Sequence, residues 1–219
     1  MIDRAEILKH LGYEGKSLVG DKLNLACNEA IKTIKEASSP AFLCSYFDID
    51  KKSDGVLLCG TKLLLKGASI SRHLEHCGKI AVFCVSLLNE VDKIIMRAKF
   101  DVLQQLFLDV AASVYIEQIC ERICQMIKCE NENFFMTKRY GIGYGDLSLS
   151  YQQDILTILD AQKRIGVTAT DDGILIPRKS VTAIVGFSST EAESSYQTCD
   201  SCLLRGDCKY FMRGEHCGK

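Results

Sequence analysis

Residues 80–88, with the sequence IAVFCVSLL, form the longest near-continuous apolar run in the candidate strands. A run of this length is typical of a buried strand. Shorter candidate strands are joined by polar turns. The turn 50–55 separates strands 41–49 and 56–59, the turn 171–173 separates strands 167–170 and 174–176, and a last strand covers 179–187. Strands linked by hairpins predict an antiparallel or mixed sheet.

Helical patterns lie on both sides of this run. They are predicted at residues 3–12, 21–37, 69 to about 77, about 90 to 128, and from a capping box at Ser150 and Gln153 to Gly166. Because helices and strands do not strictly alternate, the chain is predicted to be α+β, a twisted antiparallel or mixed sheet with flanking helices. We expect one domain over residues 1–190, with N-terminal helices in 1–37 and a core from about 41 to 190. Residues 191–219 are predicted to be a linker and a small cysteine-rich tail.

Composition narrows the class of protein. The 219 residues are 47% hydrophobic and 25% charged, with a formal net charge of −1. This balance argues against a nucleic-acid partner, which would favour clustered Lys and Arg. The charged start and the lack of an apolar run of roughly 18 residues predict a soluble, cytoplasmic protein without a membrane partner.

Twelve cysteines are expected to be thiols or metal ligands rather than disulfides. Eight of them have apolar neighbours and are predicted to be small buried residues. These are Cys27, Cys44, Cys59, Cys77, Cys84, Cys120, Cys124 and Cys129.

The other four cysteines, Cys199, Cys202, Cys208 and Cys217, fall on a short polar tail. Such a tail has too few apolar residues for a core, so a metal is predicted to organise it. Four thiolates suit zinc or an iron–sulfur cluster, and His216 is an alternative ligand. A tail of free thiols is the competing interpretation.

The segment Arg-Tyr-Gly-Ile-Gly-Tyr-Gly-Asp at residues 139–146 is predicted to bind a ligand. Its glycines allow the backbone to approach a ligand closely. Arg139 offers a planar fork for a carboxylate, and Tyr140 and Tyr144 offer rings to an adenine or a cation. No strand is predicted before the segment and no Gly-Lys-Ser/Thr follows it, so it is neither a dinucleotide fingerprint nor a phosphate loop. A tight turn between two helices is the alternative.

These motifs resemble the activation domain of cobalamin-dependent methionine synthase over roughly residues 55–190. The resemblance is carried by residues 139–146, the capped helix that follows, Arg164 to Val167, Pro177 to Val181, and Asp109 to Ser113. It implies a protein that binds S-adenosylmethionine and supports reductive methylation of cob(II)alamin. No Asp-x-His-x-x-Gly corrinoid motif is present. The corrinoid is therefore expected on a partner methionine synthase or related methyltransferase, with a flavodoxin- or ferredoxin-like electron donor.

The resemblance also implies site residues. Arg139 matches the arginine that contacts the cofactor carboxylate, and the loop after it supplies Tyr140, Gly141, Gly143, Tyr144 and Gly145. Lys179 and Ser180 are expected beside the cofactor; the alternative for them is a strand start with an exposed lysine.

Some of the family's contacts have no clear counterpart in this chain. The acid that the family uses in its long helix falls on Ser113, while the nearby Glu117 and Glu121 are expected on a solvated helix face. Tyr196 corresponds to a family tyrosine after the last strand, in a linker that differs here, and the family's N-terminal acid has no counterpart.

Two further classes of function compete with this one. One is a metal-carrying electron-transfer or scaffold protein that binds no methyl donor, with iron–sulfur or zinc in the tail. The other, a methyltransferase acting on small molecules, is disfavoured because no Rossmann glycine loop follows a first strand.

Overall fold

The computed structural model describes residues 2–13, 20–191, 205–212 and 214. Its helices are α1 (Arg4–His10), α2 (Asp21–Ala37), α3 (Ala68–His73), α4 (Asn89–Arg97), α5 (Val102–Glu130), α6 (Tyr151–Ile158), α7 (Ala161–Ile165) and α8 (Lys209–Met212). Its strands are β1 (Ala41–Lys52), β2 (Gly55–Leu58), β3 (Leu64–Leu65), β4 (Cys77–Ser86), β5 (Phe135–Met136), β6 (Tyr140–Gly141), β7 (Thr168–Ala169), β8 (Leu175–Ile176) and β9 (Ser180–Ser188).

The main sheet has the order β3-β2-β1-β4-β9-β5, and β6 also pairs with β9 beside β5. All of these pairs are antiparallel, and β7 pairs with β8 in a separate two-stranded sheet. The predicted α+β class is therefore confirmed, with an antiparallel sheet. The apolar run at 80–88 supplies the central strand β4, which begins three residues earlier than predicted, at Cys77.

Helices cover the sheet on both faces. Alternate side chains of a strand point to opposite faces. In β4, Ala81, Phe83 and Val85 belong to the core cluster that contains buried residues of α1, α2, α4 and α5. Ile80, Val82 and Cys84 belong to the second cluster, with residues of α3, α6 and α7. Burial on both faces explains why this strand is apolar throughout its length.

The long helix predicted from about 90 to 128 is two helices. Asp101 has an extended backbone, and its carboxylate accepts a hydrogen bond from the Gln104 amide at 3.0 Å, which caps α5. Residues 98–100 form a short 3-10 turn between α4 and α5. An aspartate N-cap stabilises the start of a new helix, so the apolar pattern runs across a real boundary.

The capping box predicted at Ser150 is also wrong. The Ser150 side chain makes no cap hydrogen bond. Gln153 Nε2 instead donates to the carbonyl of Ala169 at 2.8 Å and so attaches α6 to β7. The helix predicted up to Gly166 is divided at Asp160, which has a φ of 50°.

The cysteine prediction is right for five of the eight scattered residues. Cys59 and Cys129 are exposed and Cys44 is half-buried, whereas Cys27, Cys77, Cys84, Cys120 and Cys124 are buried. Within the described part of the chain, no helix has the length and apolar character needed to cross a membrane.

Candidate ligand-binding site at the sheet edge

The glycine-rich segment begins in a strand. Tyr140 and Gly141 form β6, which pairs with Ile184 and Ala183 of β9 at the edge of the sheet. The expectation that no strand precedes the loop is therefore wrong, because β6 is too short to show an alternating pattern. The chain then turns, with the Tyr144 amide donating to the Gly141 carbonyl at 3.2 Å.

The glycines of this turn are required by packing. Gly145 has a φ of +55°, and a Cβ placed on it would lie 2.5 Å from Ser69 Oγ and 2.9 Å from the Tyr140 hydroxyl. Gly143 has a φ of +95°, and its Cβ would lie 2.6 Å from Leu149 Cδ2. Positive φ and these distances exclude a larger residue at both positions without rearrangement. The tight turn thus accounts for these glycines. Arg139 and Tyr144 are the side chains of this segment that could contact a ligand.

Asp146 fixes the far end of the loop to helix α3. Its carboxylate accepts hydrogen bonds from the amides of Ala68 at 2.7 Å and Ser69 at 3.0 Å. Desolvation works to raise the pKa of Asp146, but the hydrogen bonds from Ser69 and Ala68 outweigh it and lower the pKa. The loop is therefore held in place at both ends.

Arg139 extends from the residue before β6 to helix α5. Its Nη2 lies 2.7 Å from Oε2 of Glu117, and its guanidinium also bonds the thiol of Cys120. Burial works to lower the pKa of Arg139, but Cys120 and Glu117 outweigh this and raise it. Glu117 is 58% exposed, as expected for a solvated helix face, yet it is also the carboxylate that Arg139 binds.

Lys179, the residue directly before β9, contacts the same helix. Its Nζ lies 2.9 Å from Oδ1 of Asp109 and donates to Ser113 Oγ at 2.8 Å. With a side chain only 13% exposed, Lys179 is not the exposed lysine of the alternative interpretation. Asp109, Ser113 and Glu117 are spaced four residues apart, so they form one row along α5. Arg139 binds at one end of this row and Lys179 at the other.

Ser180 is half-buried at the start of β9, directly after Lys179. Its hydroxyl is within hydrogen-bonding distance of Ser86 Oγ, at 2.8 Å, and of the Pro177 carbonyl, at 2.6 Å. The first contact joins the start of β9 to the end of β4, and the second joins it to the residue that follows β8. Ser180 therefore supports the position of Lys179.

The two loop tyrosines have different environments. Tyr140 is buried, and its hydroxyl donates to the Tyr144 carbonyl at 2.9 Å. Tyr144 is 61% exposed, with its ring edge-on to that of Tyr140 at 6.2 Å. Of the two, Tyr144 presents its ring to solvent.

His73 is a supporting residue that the sequence did not reveal. It is buried, its ring lies 4.9 Å from that of Tyr140, and its Nε2 donates to the Lys138 carbonyl at 3.0 Å. Burial lowers the pKa of His73 to about 4, although the Lys138 hydrogen bond works the other way. A neutral histidine thus packs directly behind β6.

The predicted metal ligands lie mostly outside the described residues. Cys208 is half-buried and directly precedes α8, whereas Cys199, Cys202 and Cys217 are outside the described ranges, as are His216 and Tyr196. Among the residues that are described, no group of three or more His, Cys, Asp or Glu is placed to hold a metal ion.

Comparison with known proteins identifies the fold. No protein-family description matches the chain, and a search of curated proteins finds no match. Among solved structures, the chain is similar to the "MetH Reactivation Domain bound to AdoHcy", with a TM-score of 0.66 and 14% sequence identity. The match covers 98% of this chain and 82% of that chain. The chain therefore has the fold of the MetH reactivation domain, in agreement with the resemblance read from the sequence.

Proposed function

We propose that this protein binds S-adenosylmethionine at the sheet edge and supports reductive methylation of cob(II)alamin on a partner corrinoid-dependent methionine synthase or related methyltransferase. One observation carries the proposal: the guanidinium of Arg139, beside the glycine-rich loop, binds a carboxylate, that of Glu117, at 2.7 Å. The similar solved structure is described as bound to AdoHcy, the product of S-adenosylmethionine after methyl transfer.

In this reaction, one electron from a flavodoxin- or ferredoxin-like donor reduces cob(II)alamin to cob(I)alamin, whose electron pair forms the cobalt–carbon bond. The methyl–sulfur bond breaks, its electron pair stays on sulfur, and the products are methylcobalamin and S-adenosylhomocysteine. No proton moves, so the site needs no general acid or base. The chemistry belongs to the partner's cobalt and the sulfonium group.

The contribution of this chain is to orient the methyl donor. Arg139 would exchange Glu117 for the carboxylate of the methyl donor, which the planar guanidinium can bind with two hydrogen bonds. The exposed ring of Tyr144 would pack against the adenine. Lys179 and Ser180 would hold the start of β9 in place beside these groups.

The test compares three ligands by isothermal titration calorimetry on the purified chain. S-adenosylmethionine and S-adenosylhomocysteine both carry an amino-acid carboxylate, whereas 5′-methylthioadenosine carries the same adenosine without it. Since a hydrogen bond to a charged group contributes about 1.5–3 kcal/mol, we expect 5′-methylthioadenosine to bind about tenfold more weakly or worse. Equal affinity for all three ligands would contradict the role of Arg139, and no binding of either amino-acid ligand would contradict the proposed function.

For the tail, we propose that Cys199, Cys202, Cys208 and Cys217 bind zinc or an iron–sulfur cluster. The proposal is supported by the placement of four thiols on a polar segment that has too few apolar residues for a core. An iron–sulfur cluster would favour direct electron relay, and zinc would favour a structural or docking role.

Metal analysis of anaerobically purified protein tests this assignment. We expect bound zinc, or iron with acid-labile sulfide, in the unaltered chain. The metal should be lost in the double variant Cys199→Ser/Cys202→Ser. The matched control is Cys59→Ser/Cys129→Ser, which changes two exposed cysteines in the body of the domain. Metal-free protein, or equal metal loss in the control, would refute the assignment.

A further inference from the structure

Leu88, the residue directly before α4, has an unusual backbone conformation. Its φ is 66° and its ψ is 179°, a combination that glycine adopts far more easily than a residue with a Cβ. In the described part of the chain, the other non-glycine residue with a positive φ is Asp160. Its φ of 50° and ψ of 39° fall in the left-handed region, which aspartate tolerates. Leu88 is thus strained at a position where glycine would fit without strain.

Core packing does not account for a leucine at this position. Leu88 is half-buried, and among the described residues it belongs neither to the two core clusters nor to the partly buried side chains that pack against them. Leu87 before it, by contrast, is fully buried in the cluster that includes α5. Strain of this kind persists where other interactions hold the backbone, and it is found mainly at active and ligand-binding sites. The leucine side chain therefore indicates a contact outside the two cores.

Hydrogen bonds fix Leu88 beside two residues of the candidate site. The Leu87 amide donates to the Lys179 carbonyl at 2.9 Å, and the Leu88 amide donates to Ser86 Oγ at 3.0 Å. Ser86 Oγ in turn lies 2.8 Å from the Ser180 hydroxyl. The turn after β4 is therefore bonded directly to the residues that begin β9.

The order of the strands places Leu88 and the glycine-rich loop at the same end of the sheet. Residues 183 and 184 of β9 pair with β4 along one edge and with β6 along the other, and both partners are antiparallel to β9. Both partner strands therefore run towards the start of β9, with Leu88 following β4 and the loop following β6. Two strand spacings separate β4 from β6, about 10 Å in all. A nucleoside that carries an amino-acid chain is long enough to cross this distance.

We propose that the side chain of Leu88 contacts the adenosine part of the bound methyl donor, an inference that rests on the function proposed above. Arg139 is expected to bind the ligand carboxylate at the level of Glu117 on α5. Lys179, to which the turn of Leu88 is bonded, contacts Asp109 instead. Asp109 precedes Glu117 by two helical turns, or about 12 Å along α5. A ligand held by its carboxylate at Arg139 would therefore present its adenosine, and not its amino-acid group, to Leu88.

Three substitutions of Leu88 separate a ligand contact from a structural role. Leu88→Gly removes both the strain and the side chain, so it should melt at the same temperature as the unaltered protein or higher. Leu88→Ala removes the side chain but keeps the strain, and Leu88→Met keeps an apolar side chain of similar volume. The matched control is Asp160→Gly, which places glycine at the other positive φ, between α6 and α7.

Each purified protein is melted without ligand and then titrated with three ligands by calorimetry. The ligands are S-adenosylmethionine, S-adenosylhomocysteine and 5′-methylthioadenosine, which share the adenosine. Because an apolar contact is lost in both variants, Leu88→Gly and Leu88→Ala should bind all three ligands about fivefold more weakly or worse. Leu88→Met and Asp160→Gly should bind them like the unaltered protein.

The outcomes separate this inference from the proposed function. If the unaltered protein binds neither S-adenosylmethionine nor S-adenosylhomocysteine, the proposed function fails and this inference with it. If it binds them and Leu88→Gly binds them equally well, the contact with Leu88 alone is refuted. An unchanged affinity for 5′-methylthioadenosine in Leu88→Gly and Leu88→Ala would refute the contact with adenosine. Weaker binding together with a lower melting temperature in Leu88→Gly would assign Leu88 a structural role and overturn the inference too.

Discussion

Arg139→Ala is expected to weaken binding of S-adenosylmethionine about 10- to 100-fold, the range that follows from losing a charged hydrogen-bonding partner of a carboxylate. Arg139 supplies the guanidinium at the sheet edge, where its Nη2 lies 2.7 Å from a carboxylate oxygen of Glu117. In the alanine variant, the ligand carboxylate would meet the negative charge of Glu117 instead. Titration calorimetry with S-adenosylmethionine measures the loss, and a thermal melt shows whether the fold is retained.

Two matched variants separate ligand binding from structure. Glu117→Gln removes the carboxylate that competes with the ligand for Arg139 but keeps Arg139 itself. Its affinity for S-adenosylmethionine should therefore equal or exceed that of the unaltered protein. Arg122→Ala removes an exposed arginine from the same helix and should have no effect. If Glu117→Gln loses as much affinity as Arg139→Ala, the ion pair itself is what matters, and Arg139 is structural.

Much of the fold was predictable from local patterns. The central strand β4 is continuously apolar because helices cover both of its faces, and α2 was predicted with its observed bounds, Asp21–Ala37. The predictions that failed concern short strands and helix ends, which depend on tertiary contacts. Strands β3, β5 and β6 have two residues each, too few for any period to show. At Ser150, the expected capping partner Gln153 bonds the distant Ala169 instead.

In the candidate site, too, some residues were predictable from the sequence and their contacts were not. The sequence indicated Arg139 and the loop, because a guanidinium and three alternate glycines are recognisable chemistry. Their internal partners were not predictable, because Glu117 and Arg139 are 22 residues apart, and Ser113 and Lys179 are 66 apart. Only the packing of α5 against the sheet brings each pair together. The i, i+4 spacing of Asp109, Ser113 and Glu117 marks one helix face but does not identify what that face contacts.

His73→Gln is expected to remove a large part of the acid sensitivity of the fold. Burial lowers the pKa of His73 from 6.5 to about 4 in the folded protein. Between these values the unfolded chain binds a proton that the folded protein does not, so stability falls as the pH falls from about 6.5 towards 4. Above pH 6.5 both states are neutral and the stability is fully present. At 1.4 kcal/mol per pH unit, the protonation of His73 in the unfolded chain should cost the unaltered protein about 2 kcal/mol of folding stability between pH 7 and pH 5.

Glutamine does not titrate, and its amide retains a donor for the Lys138 carbonyl. Its variant should therefore be less stable than the unaltered protein at pH 7, through imperfect packing, but the difference should shrink or reverse at pH 5. Urea unfolding at the two pH values measures this, with His76→Gln, an exposed histidine three residues later, as the matched control. Parallel losses in all three proteins would show that His73 does not control the transition. Because His73 packs on Tyr140 and bonds the residue before Arg139, its protonation would weaken the support of the ligand site along with the fold.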